Sequence, residues 1–223
     1  MSPVDLGPFW LSLRVAVPAT CLVALVGTPL AWALARLRFP GREFVAGLAT
    51  LPLVLPPTVV GYALLLAFGR RGCFGGWLDR TFGVSVAFHW SGAVLAAAIM
   101  AAPMFLIPAR AAFAAVDPEL EDAARLLGRG EAAVFRTITL PLSGRGLVAG
   151  LILAFARALG EFGATLMLAG SIPGRTRTAS LAIYDAVQAD RPAEAAAYSA
   201  LIAATALAAV LIAHRARRHG AAG

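Results

Sequence analysis

The chain contains no lysine, two cysteines and three histidines. Without lysine there can be no G-x-x-x-x-G-K-[ST] loop, whose lysine reaches nucleotide phosphates, and no nucleotide-binding motif of another kind occurs. Cys21 lies deep in the first apolar run and Cys73 in a polar segment, so the two cannot readily meet. That excludes a disulfide framework and a zinc-type spacing, and leaves one packed thiol and one free one. His89, His214 and His219 are too few for a histidine-rich metal site. Charge is scarce too, at 14% of residues, against about 25% in soluble domains.

Apolar residues fill the space. They make up 60% of the 223 residues, and the mean hydropathy is +0.79. A soluble domain of this length cannot hide so much apolar surface, so lipid must solvate part of it. The net charge is +7, carried by 19 arginines. A basic balance can signal nucleic acid, but these arginines punctuate apolar runs. That placement fits the inside-positive bias of membrane proteins and excludes nucleic acid as a partner.

A membrane-crossing helix needs about 20 mostly apolar residues. Charge-free runs cover 15–35, 44–69, 90–109 and 195–213. A further run from about Gly146 to Gly170 is apolar except for Arg157 and Glu161. Open sheet edges cannot face hydrocarbon, and these runs do not alternate as barrel strands do. The expectation is therefore an all-α integral membrane protein in one domain over 1–223. Its five spans fall at about 10–35, 45–69, 90–112, 143–170 and 195–214, with a loop over 114–142 between the third and fourth. The segments 70–89 and 171–194 are too polar for a sixth.

Arginine placement sets the orientation. With the N-terminus outside, the inner segments hold eleven arginines: Arg36, Arg38, Arg42, Arg110, Arg125, Arg129, Arg136, Arg145, Arg215, Arg217 and Arg218. The outer segments hold six: Arg70, Arg71, Arg80, Arg175, Arg177 and Arg191. This favours N-out, C-in. The first run is preceded by no positive charge and followed by a basic cluster, the wrong polarity for a cleaved signal, so it reads as a retained anchor.

The inner segment carries the most pattern. Asp117 can cap a helix whose first position is Pro118, and Glu119, Glu121 and Asp122 suit the positive end of its dipole. Leu120, Ala123, Ala124 and Leu127 fall at helical spacings as one apolar face. Gly128 can end the helix in a left-handed conformation. A second short helix is expected over about 130–137, and Pro141 is expected to start the next span.

The string Glu121-Asp122-Ala123-Ala124-Arg125-Leu126-Leu127-Gly128, nine residues, then Ile138-Thr139-Leu140-Pro141 closely resembles the "EAA" signature of ABC-importer permeases. Asp122 stands where that family usually has glutamate. Two further stretches resemble the molybdate branch of type I permeases, with sulfate permeases as close relatives. One runs from Leu51 through Pro56 and Pro57 to Tyr62. The other runs from Arg157 through Glu161 to Thr165, followed by 170–176 and 181–184. The likeness extends from about Trp10 to His214.

The resemblance implies a permease subunit that is not an enzyme and binds no cofactor, with ATP held by a separate ATPase. It implies a homodimer in the bacterial inner membrane, two ATPase partners and an external oxyanion-binding protein that meets the segments 70–89 and 171–194. Glu121, Asp122, Ala123, Ala124, Arg125, Gly128, Glu131 and Pro141 would form the ATPase-coupling segment. Small side chains there (Ala123, Ala124, Ala132, Ala133) allow close approach, and Arg125, Arg129 and Glu131 offer rim charges. A sulfate permease and an ion-coupled carrier working alone are the alternatives. An intramembrane enzyme lacks its groups, because Glu161 is the one acid within the spans.

Two features sit at membrane depth. Arg157 and Glu161 are four apart, hence on one helix face, either lining a pathway or forming a structural ion pair. Pro52, Pro56 and Pro57 interrupt the second span and Pro103 and Pro108 the third. Proline removes a backbone donor, and broken helices at this depth line cavities or are buried in protein. Pro56, Pro57, Arg157 and Glu161 are therefore the pathway or gate candidates.

Overall fold

The computed structural model describes residues 5–219, with side chains described as far as Ile212. Every regular element among them is helical. The first long helix, α1, spans Gly7–Arg36. A short α2 (Arg42–Thr50) runs into a 3₁₀ turn at Leu51–Leu53, and α3 covers Pro57–Phe68. The surface helix α4 (Cys73–Phe82) precedes the central α5 (Trp90–Ala114). Then come α6 (Pro118–Leu126) and α7 (Glu131–Val134), a π turn at Phe135–Thr139, α8 (Leu140–Leu159), α9 (Gly163–Ala169), α10 (Ala179–Gln188) and α11 (Pro192–His219).

Four helices are long and apolar enough to cross a membrane: α1, α5, the continuous Glu131–Leu159 and α11 over Pro192–Ile212. A fifth span exists if the bent pair Arg42–Leu53 and Pro57–Phe68 is counted as one. The bend is 112°, far beyond a proline kink. Pro56 is extended (φ −55°, ψ 135°) and Pro57 opens α3, where its missing N–H costs nothing. The residue before a proline avoids helical dihedrals, so Pro56-Pro57 stops one helix and starts another. Both segments outside the five spans hold helices, α4 and α10, each only 10 residues long.

Three expectations change. Pro103 and Pro108 do not interrupt the third span, because α5 runs unbroken through both. Within a packed bundle, neighbouring helices compensate the lost backbone bonds. The expected second inner helix and the fourth span are one helix, so Pro141 lies inside rather than at its start. The π turn just before Pro141 widens the ladder where the proline ring meets the preceding turn. Lastly, the span expected over 143–170 breaks after Leu159 and resumes as α9.

Small residues decide the packing. Lipid tails are as apolar as leucine, so helices associate in the membrane by close contact rather than by hydrophobic exclusion. The buried face of α5 is Gly92, Ala93, Ala96, Ala97, Ala98 and Ala101 with Phe105, Leu106, Ala109 and Phe113. It packs mainly on α1 and α8. Gly146 lies against Ala112, and a Cβ on Gly150 would lie 3.0 Å from the Phe105 carbonyl oxygen, so α8 runs antiparallel to α5. This core includes Val15, Ala19, Val23 and Ala31 of α1 and Leu147, Ala154 and Ala158 of α8. A second, smaller core joins Val60 of α3 to Ala164 and Leu168 of α9 and to Ala96 and Met100 of α5. Cys21 is exposed on the outward apolar side of α1 rather than packed, and Cys73 is exposed as well.

Candidate functional site

At one end of the bundle the chain leaves α5 and forms the inner segment. The Asp117 side chain accepts a hydrogen bond from the Glu119 N–H at 2.9 Å, and Pro118 occupies the first turn. The helix ends at Gly128, whose φ of +80° lies in the left-handed region. Its N–H donates to the Arg125 carbonyl at 2.9 Å.

The helix is turned opposite to its composition. Glu121 and Ala124 face inward and are buried, whereas Leu120, Ala123, Leu126 and Leu127 are exposed. Leu126 and Leu127 are 90% and 82% exposed, far beyond the share expected of packed leucines. The expected apolar face thus points away from the chain, apart from Ala124. Glu121 and Ala124, though part of the coupling signature, are closed to a partner.

Three neighbours explain the burial of Glu121. Its Oε1 accepts from the Thr139 hydroxyl at 2.6 Å and from Arg36 Nη2 at 3.2 Å. Arg125 Nη2 lies 3.9 Å from the other oxygen. Arg36 Nη2 also donates to the Val116 carbonyl at 2.7 Å. One carboxylate therefore ties the inner helix to the end of α1 and to the π turn entering α8. A charge-assisted hydrogen bond of this kind is worth about 1.5–3 kcal/mol. Neither Arg36 nor Thr139 carries a sequence signal for the contact, since they stand 85 and 18 residues from Glu121.

Outside this strut, Arg125 bonds Glu131 at 2.7 Å and Asp122 at 2.6 Å. Hydrogen bonds donated to Glu131 first and Asp122 second raise the arginine above its ordinary pKa. All three side chains are exposed, so the cluster shapes the rim and adds little stability. Glu131 opens the helix that continues through Pro141, which is exposed one residue past the start of α8. A cavity of about 710 Å³ opens beside the strut, bordered by Trp32, Arg36, Glu121, Glu131 and Phe135.

The second pair lies deep in the bundle. Arg157 ends α8, and Glu161 sits in the break before α9, past the helical turn expected to carry both. Arg157 Nη1 lies 2.6 Å from Glu161 Oε2, a charge contact without hydrogen-bond alignment. Glu161 Oε1 accepts from the Ala164 N–H at 2.8 Å, so the carboxylate caps α9 at its positive end. Glu161 is 2% exposed and Arg157 26%. From the Gly150–Phe105 register, Arg157 lies about 12–16 Å from the Trp90 end of α5, within hydrocarbon depth. Pro57 is also close: a Cβ on Gly163 would lie 2.9 Å from its Cβ. The structure thus brings Pro57, Arg157 and Glu161 to one region where both broken helices meet, far along the bundle from the inner segment. The side chains of Arg215, Arg217 and Arg218, counted on the inner side, lie outside the described residues.

The chain is an all-helical membrane bundle with the Glu121–Pro141 segment at one end. Residues 27–219 match the family described as "Binding-protein-dependent transport system inner membrane component", and the chain belongs to that family of multi-pass inner membrane proteins. It is 48% identical over 185 residues to the molybdenum transport system permease protein ModB of Escherichia coli (strain K12), covering 81% of each chain. The ModB permease of Haemophilus influenzae is 47% identical over 178 residues, covering 80% of this chain and 78% of the relative. That of Azotobacter vinelandii is 38% identical over 196 residues, covering 87% and 86%.

Solved structures agree on the fold. A bacterial ABC transporter that imports the acidic polysaccharide alginate superposes with a TM-score of 0.78 at 19% identity, covering 98% of this chain and 80% of the other. The inward-facing MetNI methionine ABC transporter gives 0.73 at 15% identity, covering 97% and 95%. The type I importer permease fold expected from the inner signature is the fold observed.

Proposed function

We propose that this chain is the membrane permease subunit of an ATP-driven importer for molybdate. It works as a homodimer, binds no cofactor and catalyses no reaction itself. Two ATPase subunits dock on the inner face, and an external oxyanion-binding protein docks on the outer face. The N-terminus is outside and the C-terminus inside. Lipid surrounds the outward faces of α1 and α11, where Leu25, Val26, Leu207 and Leu211 are exposed.

The observation that carries the mechanism is the inverted inner helix. Burying a carboxylate while exposing leucines is unfavourable for an isolated subunit. It becomes favourable when a partner groove covers Leu120, Ala123, Leu126 and Leu127. The Glu121 strut then passes a displacement of the tip to α1 and α8 together. Relatives of 38–48% identity named as molybdenum permeases support the substrate.

The test is reconstitution of the chain with its ATPase and binding protein in liposomes. Radiolabelled molybdate should accumulate only with ATP and all three components, and excess sulfate should compete poorly. Accumulation without the ATPase would establish a self-contained carrier instead. Preference for sulfate would reassign the substrate.

A further inference from the structure

The end of the bundle opposite the inner segment holds two adjoining cavities. The larger, about 790 Å³, is lined by Arg70, Arg71, Ser85, Phe88, His89 and Arg175 among others. The smaller, about 460 Å³, is lined by Arg14, Pro18, His89, Trp90, Arg175 and Thr176 among others. His89 and Arg175 border both.

The charge pattern there is one-sided. Four arginines line the two cavities and no carboxylate does. Among the described residues, none of the four forms an ion pair. Their neighbours Arg177 and Arg191, which line neither cavity, are paired with Asp185 at 2.9 Å and Glu194 at 2.8 Å. Arg157, deeper in the bundle, is paired with Glu161. Arg80, on the same side, also lacks an ion pair but donates to the Gly76 carbonyl at 2.9 Å, whereas the four arginines at the cavities have neither kind of partner among the described residues.

The scaffold beneath them is fixed. Arg175 rides on a turn in which buried Thr176 donates to the Gly170 carbonyl at 3.1 Å and accepts from the Ile172 N–H at 3.0 Å. Phe88 holds φ at +57°, a left-handed conformation that is strained for an aromatic residue. Its N–H is tied to the Leu168 carbonyl at 3.0 Å. His89 caps α5, with Nδ1 accepting from the Ser91 N–H at 3.4 Å and meeting the Ser91 hydroxyl at 2.8 Å. A neutral ring accepting at Nδ1 carries its proton on Nε2, which makes a further donor.

We propose that these joined outer cavities form a receiving site for a divalent tetrahedral oxyanion, engaged by Arg14, Arg70, Arg71 and Arg175 with His89. This rests on the oxyanion reading above and adds where the ion first meets the permease. The guanidinium fork matches two oxygens of such an ion. Clustered positive charge at a mouth raises the local anion concentration. The volume admits the ion with its hydration water.

The experiment measures binding of radiolabelled molybdate to the chain purified with its ATPase, without binding protein, in lipid nanodiscs. Two lipid compositions are used: phosphatidylcholine alone, and phosphatidylcholine with phosphatidylglycerol. Saturable binding is expected in both, weakening as salt rises because the arginines are exposed. The R14Q/R175Q and R70Q/R71Q variants should each bind roughly tenfold more weakly. R175K, which keeps the charge but loses the fork, should bind between the unaltered complex and R14Q/R175Q and guards against misfolding. R38Q, an exposed inner-face change, should match the unaltered complex.

Equal binding by all variants overturns the site. Binding abolished by phosphatidylglycerol assigns the arginines to lipid phosphate and also overturns it. So does normal molybdate binding combined with lost stimulation of ATP hydrolysis by loaded binding protein, because the arginines then dock a protein. Arginine-dependent binding in a complex that fails to accumulate molybdate in liposomes upholds the site and refutes the transport assignment instead.

Discussion

Single residues carry two sharp expectations. Gly128 has a positive φ, and a Cβ added there would meet nothing within 4 Å, so a substitution meets backbone strain of about 1–2 kcal/mol and no clash. Gly128→Val should leave the protein inserted but reorient the exposed leucine tip. Uptake per ATP hydrolysed in liposomes should fall severalfold. Glu161→Ala strips a cap from α9 and leaves Arg157 without its counter-charge, a loss of about 3–5 kcal/mol for a buried pair. Thermal unfolding of the detergent-purified complex should drop sharply, and Glu161→Gln, which keeps the cap acceptor, should recover part of it. An unchanged melting temperature in Glu161→Ala would remove the structural role. Gly128 was legible in the sequence because a helix end after an apolar run asks for a left-handed residue. The Glu121 contacts were not, because pairings across long stretches of chain leave no periodic trace.

Elements show where local pattern prevails and where packing overrides it. Pro56-Pro57 broke a helix as the sequence suggested, since adjacent prolines deny consecutive helical dihedrals. Pro103 and Pro108 did not, since α5 is enclosed by neighbours and its backbone is held on several sides. The break at Gly160–Phe162 was not read, because Arg157 and Glu161, four residues apart, suggested one continuous helix face. Two predictions belong here. Thr139→Val preserves shape but removes the 2.6 Å bond to Glu121. It should cost about 1.5–3 kcal/mol and lower uptake per ATP, read by unfolding and transport assays on the same preparation. Gly61→Leu should be worse than Gly61→Ala, because even a Cβ there would lie 2.7 Å from Ala164 Cα. Overpacking of this kind costs about 1–3 kcal/mol, and it should separate α3 from α9 and abolish uptake.

At the scale of the whole molecule, composition and charge were enough to read the membrane class, and residue spacing from Glu121 to Pro141 to read the inner signature. The 112° bend and the second core were not legible, because they depend on which small faces meet. Orientation has a direct measurement. In intact right-side-out vesicles, a membrane-impermeant thiol reagent should label Cys73, and a Leu126→Cys variant should gain no external label. The reverse pattern would turn the molecule over.

The paired breaks have a mechanical consequence. Chain leaves the α1–α5–α8 body towards α3 through Val54–Pro56, and towards α9 through Gly160–Phe162, so neither covalent link is a stiff rod. α3 leans chiefly on α9 and hardly on α5. α9 in turn packs on α5, where Ala96 and Met100 meet Val60, Ala164 and Leu168, so a displacement at either break reaches the other through side-chain contact while every long helix keeps its shape.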